Sequence, residues 1–65
     1  MTRTEAFQLS ILEGVCITHE LLNDNIIIII PGGNIVTEEG FEIPIWEFMK
    51  NRQSIEWETD WTIYK

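Results

Sequence analysis

Cys16 and His19 are, by type, the residues of this 65-residue chain best suited to covalent or acid–base chemistry. A cysteine nucleophile needs a base within hydrogen-bond reach. The two lie three apart in "VCITHE", a stretch of alternating character, and on a strand that separation sends side chains to opposite faces. A Cys–His pair within this segment is therefore excluded. Each is also the sole residue of its kind, which leaves no His/Cys metal set, and no Gly-rich phosphate loop leads into a helix. Glu38, Glu39, Glu56, Glu58 and Asp60 could pair, but among eleven acids such pairs carry no signal. The residue types predict no enzyme, no metal and no cofactor.

Binding chemistry is better represented. Aromatic residues make 11% of the chain, and Trp46, Trp57, Trp61 and Tyr64 all fall in its last third. Phe7, Phe48 and Trp61 read as core. Trp57, in the polar stretch "SIEWETD", reads as partly exposed, a platform for stacking a flat ligand such as a nucleobase.

The elements that position these residues follow from local pattern. Thr2 and Glu5 have capping-box spacing. Ala6, Phe7, Leu9, Ile11 and Leu12 form an apolar stripe and Gly14 suits the position past the end, which predicts a helix over about residues 3–13. "VCITHE", 15–20, and the isoleucine run, as a strand at 25–30, flank the turn cluster "NDN", 23–25. "PGGN" is a turn, "IVTEEG" a third strand, and "FEI" a short fourth. Pro44 suits the first turn of a short helix over about 44–51, and "WTIY" closes the chain as a last strand at about 60–64. The fold class is α+β: an N-terminal helix on a small, mainly antiparallel sheet of four to five strands, with a second short helix, in a single domain of residues 1–65.

The five isoleucines raise a packing problem. Ile26, Ile28 and Ile30 face one way on a strand, Ile27 and Ile29 the other. Burying one isoleucine contributes about 1.5–3 kcal/mol, so both faces need a dry cover. The first helix covers one face; the second is only about two turns long. No disulfide staples the chain, and small domains then rely on oligomerisation. These points predict a homo-oligomer, a dimer or tetramer, with Ile27, Ile29 or their alternating neighbours and Trp46 near the interface. Pro31 and Asp24 flank the run as gatekeepers against aggregation. The alternative is that the short helix and the C-terminal aromatics close the second face within one chain.

A formal charge of −7 opposes direct binding to nucleic acid, whose contacts come from Lys and Arg. It suits solubility, or attraction to a basic partner. No run reaches the ~20 apolar residues of a membrane span and the N-terminus lacks a signal peptide, so a cytoplasmic setting is expected.

The order helix "TEAFQLSILEG", strand, the pair around "GGNIVTEEG", a short helix with "WEFM" and the ending "ETDWTIY" resembles the small phage-encoded Thoeris anti-defence domain family. Leu12-Glu13-Gly14 and Asp60-Trp61 are the best matches; the family's basic residues and tryptophan after the first glycine are replaced here by "VCITHELL". The resemblance implies a homo-oligomer that sequesters, without catalysis, a cyclic nucleotide immune signal such as glycocyclic ADP-ribose or a cyclic dinucleotide. On that reading Arg52, among the cations Arg3, Lys50, Arg52 and Lys65, receives phosphate. His19 donates to a phosphate or base, Trp57 or Trp61 stacks the base, and Asp60 accepts from a base edge or ribose. The alternative to this sponge is an acidic inhibitor, whose carboxylates at 38, 39, 42, 47, 56, 58 and 60 mimic phosphates on a host protein's basic surface. A third possibility is an assembly domain without a ligand.

Overall fold

The computed structural model describes residues 1–22 and 25–64. Asn23 and Asp24, which belong to the expected turn and include one gatekeeper, and Lys65 lie outside the described residues.

Helix α1 spans Arg3–Glu13. The Glu5 amide donates to Thr2 Oγ1 at 3.2 Å and the Thr2 amide donates to Glu5 Oε1 at 2.9 Å, so the predicted capping box is formed. That second bond holds the Glu5 carboxyl below its ordinary pKa of 4.5. Gly14 ends the helix in the left-handed region, φ 66°, with its N–H on the Ser10 carbonyl. Five strands follow: β1 (Ile17–His19), β2 (Ile26–Ile30), β3 (Asn34–Thr37), β4 (Glu42–Pro44) and, last in the chain, β5 (Trp61–Ile63). Helix α2 (Ile45–Met49) lies between β4 and β5, and single 3-10 turns occupy Glu20–Leu22 and Ile55–Trp57. Pro44 is the last residue of β4 and the N-cap of α2, rather than its first helical residue. It sits on an edge strand, where a missing N–H breaks no ladder.

The strands form one antiparallel sheet in the order β4-β3-β2-β1-β5. Its first four members are hairpin neighbours. The chain then crosses from one edge to the other through α2 and the second 3-10 turn. Register fixes the faces: Ile17 opposes Ile27, Ile27 opposes Thr37, Ile29 opposes Ile35 and Ile35 opposes Ile43. These residues share a face, and the core joins Ile17, Ile27, Ile29 and Ile35 to Ala6 of α1, to Phe48 and Met49 of α2, and to Trp57 and Trp61. Both helices and the crossover therefore cover the same side.

This corrects the expected interface. Ile27 and Ile29 are 3% and 1% exposed within a single chain and belong to its core, because α1 and the crossover close over them together. The residues left on the other face are Ile26, Ile28 and Ile30, beside Val36, all half-buried and none part of the core cluster. Trp46 is 69% exposed on α2.

Two side chains repair the sheet where the backbone cannot. The β1–β2 ladder ends at Ile17–Ile27, short of Val15 and Ile29. Ser10 fills the gap: its hydroxyl donates to the Val15 carbonyl and accepts from the Ile29 N–H, both at 2.8 Å. At the other end the Thr18 hydroxyl donates to the Asn25 carbonyl at 2.7 Å. On the outer side of β5, Met1 exchanges two bonds with Trp61: its amino group donates to the Trp61 carbonyl at 2.9 Å, and the Trp61 amide donates to the Met1 carbonyl at 3.1 Å.

Candidate functional site

His19, Trp57 and Trp61 are brought together, but inside the protein. His19 is 2% exposed. Its Nε2 lies 2.8 Å from both the Glu56 and Thr59 carbonyls, while the Leu21 N–H donates to Nδ1 at 3.1 Å. Two carbonyls can only accept, so Nε2 carries the proton and Nδ1 is the acceptor; the ring is the neutral Nε2–H tautomer with both nitrogens used. The Trp57 ring stacks on it at 4.7 Å and 30°, and Trp61 meets it edgewise at 5.0 Å. Trp61 is fully buried, and its indole N–H donates to the Trp57 carbonyl at 2.8 Å. Phe7 meets Trp61 edgewise, with ring centroids 5.3 Å apart.

The ligand roles expected of these three residues are thus corrected. No polar atom of His19 or Trp61 is left for a phosphate or base, and Trp57, 9% exposed, already stacks on a ring of the protein itself. The polar neighbours of Trp57 misled because the 3-10 turn that carries it directs Trp57 inward while Glu56 and Glu58 stay exposed. Nothing local in the sequence reports that His19 will find carbonyl partners 37 and 40 residues away.

Arg52 is a predicted ligand residue that is not enclosed in the core. Its Nη1 donates to the Phe48 carbonyl at 2.8 Å, covering a free carbonyl at the end of α2. Its guanidinium lies 4.3 Å above the Phe48 ring and 5.6 Å from that of Trp57, within cation–π range. These contacts hold the head group against Phe48. Beside it opens a cleft of about 330 Å³. Leu22, Ile26, Ile27, Ile43 and Phe48 supply its apolar walls; Arg52, Phe41, Glu38 and Glu39 supply its charged and aromatic rim. Phe41, 65% exposed, and the two exposed glutamates come from the turn joining β3 to β4. Phe41 escaped the sequence reading because "FEI" registers there only as strand; a large aromatic directly after Gly40, between acidic residues, was the available signal.

Asp60 lies elsewhere. It is exposed, adopts φ 69°, and lines a shallow recess with Glu20, Thr18 and Thr62 at the β1–β5 end of the sheet. Its backbone conformation marks a turn into β5, and it does not line the Arg52 cleft. Among the described residues no group of three or more His, Cys, Asp and Glu side chains is placed to hold a metal ion, and no helix is long and apolar enough to cross a membrane. No family model, curated protein or solved structure matches the chain.

Proposed function

We propose that the protein is a non-catalytic binder that sequesters a cyclic nucleotide signal in the Arg52 cleft, acting as a homo-oligomer in the cytoplasm of a phage-infected bacterium. The carrying observation is the composition of one rim. A fixed guanidinium is complementary to a phosphate, an exposed Phe41 to the flat face of a base, and Glu38 and Glu39 to ribose hydroxyls or an exocyclic amine. The cleft lies at the small end of the roughly 300–1,000 Å³ range of ligand sites, which suits one nucleotide unit at a time. Sequestration then works by mass action: bound messenger no longer reaches its effector.

The test is titration of the protein with glycocyclic ADP-ribose and a panel of cyclic dinucleotides, by calorimetry and melting shift. Sub-micromolar binding of one of them is expected, weakened at least tenfold by Arg52→Ala and by Phe41→Ala. Folded protein that binds none of the panel, or an Arg52→Ala variant that binds as tightly, refutes the reading.

One observation favours a second reading. All ten acidic residues among the described residues are exposed, as expected of an inhibitor that docks on a basic host surface. Such a complex forms without a small molecule and weakens steeply as salt is raised, because exposed charges are screened.

A further inference from the structure

We infer that the Arg52 cleft sorts nucleotides by charge: it takes one whose phosphate is a diester with a single negative charge and rejects phosphomonoesters and diphosphates. The inference rests on the nucleotide reading of the cleft given above and narrows it to one ligand class.

The rim sets one positive charge against two negative ones. Arg52 is the sole cation among the described residues that line the cleft, and Glu38 and Glu39 stand on the same rim. Arg3 lines a different recess, with Phe7 and Met49, and Lys50 lines neither. The partners of Arg52 are the Phe48 carbonyl and two ring faces, none of which carries a charge. One of its N–H donors goes to that carbonyl, and a guanidinium has further donors for phosphate oxygens.

A diester phosphate spreads one negative charge over two free oxygens, which a single guanidinium matches in charge and in shape. A phosphomonoester carries nearly two charges at neutral pH, because its second pKa is about 6. A diphosphate carries at least two on adjacent groups. The added charge finds no second cation and faces the two carboxylates instead. At about 7 Å from a carboxylate in water-like surroundings, a unit charge is penalised by about the thermal energy, which is about a threefold loss of affinity. Two carboxylates double the penalty, attraction to Arg52 offsets part of it, and the field of a −7 chain adds to it. A net loss of about threefold for each added charge follows at low salt.

Such sorting is what a sponge needs. Nucleoside mono-, di- and triphosphates present the same bases and ribose to Phe41 and the two glutamates, and a cleft open to them would be filled before the messenger arrived. Like-charge repulsion turns them away without altering how the base is held. Between the two messenger chemistries, a cyclic dinucleotide has separate diester phosphates and fits. Glycocyclic ADP-ribose, whose phosphates are joined directly, does not.

Nuclear magnetic resonance titration of the full chain with 3′,5′-cyclic AMP, AMP and ADP tests this, since the three share a base and ribose and differ in phosphate charge. Cyclic di-AMP and glycocyclic ADP-ribose are run alongside. Shifts of the Arg52 side-chain and Phe41 ring signals report occupancy of the cleft. Cyclic AMP is expected to bind about threefold more tightly than AMP, AMP more tightly than ADP, and cyclic di-AMP more tightly than glycocyclic ADP-ribose. The preference should shrink in high salt and in the double variant Glu38→Gln/Glu39→Gln, whose substitutions fall on exposed turn residues and keep the shape of both side chains. An order that is flat or rises with charge overturns the inference while leaving the cleft a nucleotide site, as does a preference unchanged by high salt or by the double variant. Arg52 and Phe41 signals that move with none of the five compounds remove the ligand reading itself, and the inference with it.

Discussion

Replacing Ser10 by alanine isolates the bridge between α1 and the sheet. Ser10 is fully buried, and its hydroxyl stands between the Val15 carbonyl and the Ile29 N–H. Alanine fills the same place on the helix but can neither donate nor accept. The Ile29 N–H then has no partner in the core, which costs about 1–3 kcal/mol, and the Val15 bond adds about 0.5–1.5 kcal/mol, reduced because Val15 is half-exposed and water can replace the donor. Alanine's better helix propensity returns about 0.5 kcal/mol. The net expectation is a loss of about 2 kcal/mol. A domain of this length has about 3–10 kcal/mol in all, so the melting temperature should fall by about 8–16 °C. Urea unfolding followed by tryptophan fluorescence, at one fixed protein concentration for both proteins, gives the number. A change under about 0.5 kcal/mol with unaltered slope would refute the bridging role.

Two further predictions concern the core and the first turn. His19→Ala removes the partner of the Glu56 and Thr59 carbonyls and of the Leu21 N–H; denaturation should show a loss of about 3–4 kcal/mol, while nucleotide affinity of the folded protein stays unchanged. Affinity lost at unaltered stability would instead return His19 to the ligand site. Because folding lowers the Glu5 pKa, the stabilisation from its ionised form is complete above the ordinary value of 4.5 and disappears as pH falls through the lower folded value. Melting temperatures of wild type and Glu5→Gln should therefore differ near neutral pH and converge in acid; a gap that persists there contradicts the assignment.

The helix and strands were legible because their signals are local. Thr2, Glu5 and Gly14 mark both ends of α1 through bonds spanning at most four residues, and the structure reproduces the span. The alternation of Ile26 to Ile30 correctly announced two faces. Which face would be covered was not legible, since that depends on the crossover to β5 running on the same side as α1. Sequence pattern says nothing about that choice. The candidate site divides the same way. Arg52 lines a cleft, whereas His19, Trp57 and Trp61 form a packed cluster assembled from segments about forty residues apart.

The isoleucine run has one more consequence, concerning how a register is specified at all. In most strands a slip by one residue exchanges apolar for polar side chains and is penalised at once. In β2 a slip would exchange isoleucine for isoleucine, so the five side chains are silent about alignment. That information resides in the few polar groups and bends around them. Ser10 selects the Ile29 amide, Thr18 selects the Asn25 carbonyl, and the Pro31-Gly32-Gly33 turn, with glycines at φ 105° and 87°, fixes where the strand must stop. The most apolar segment of the chain thus has its alignment written in the hydroxyls that border it.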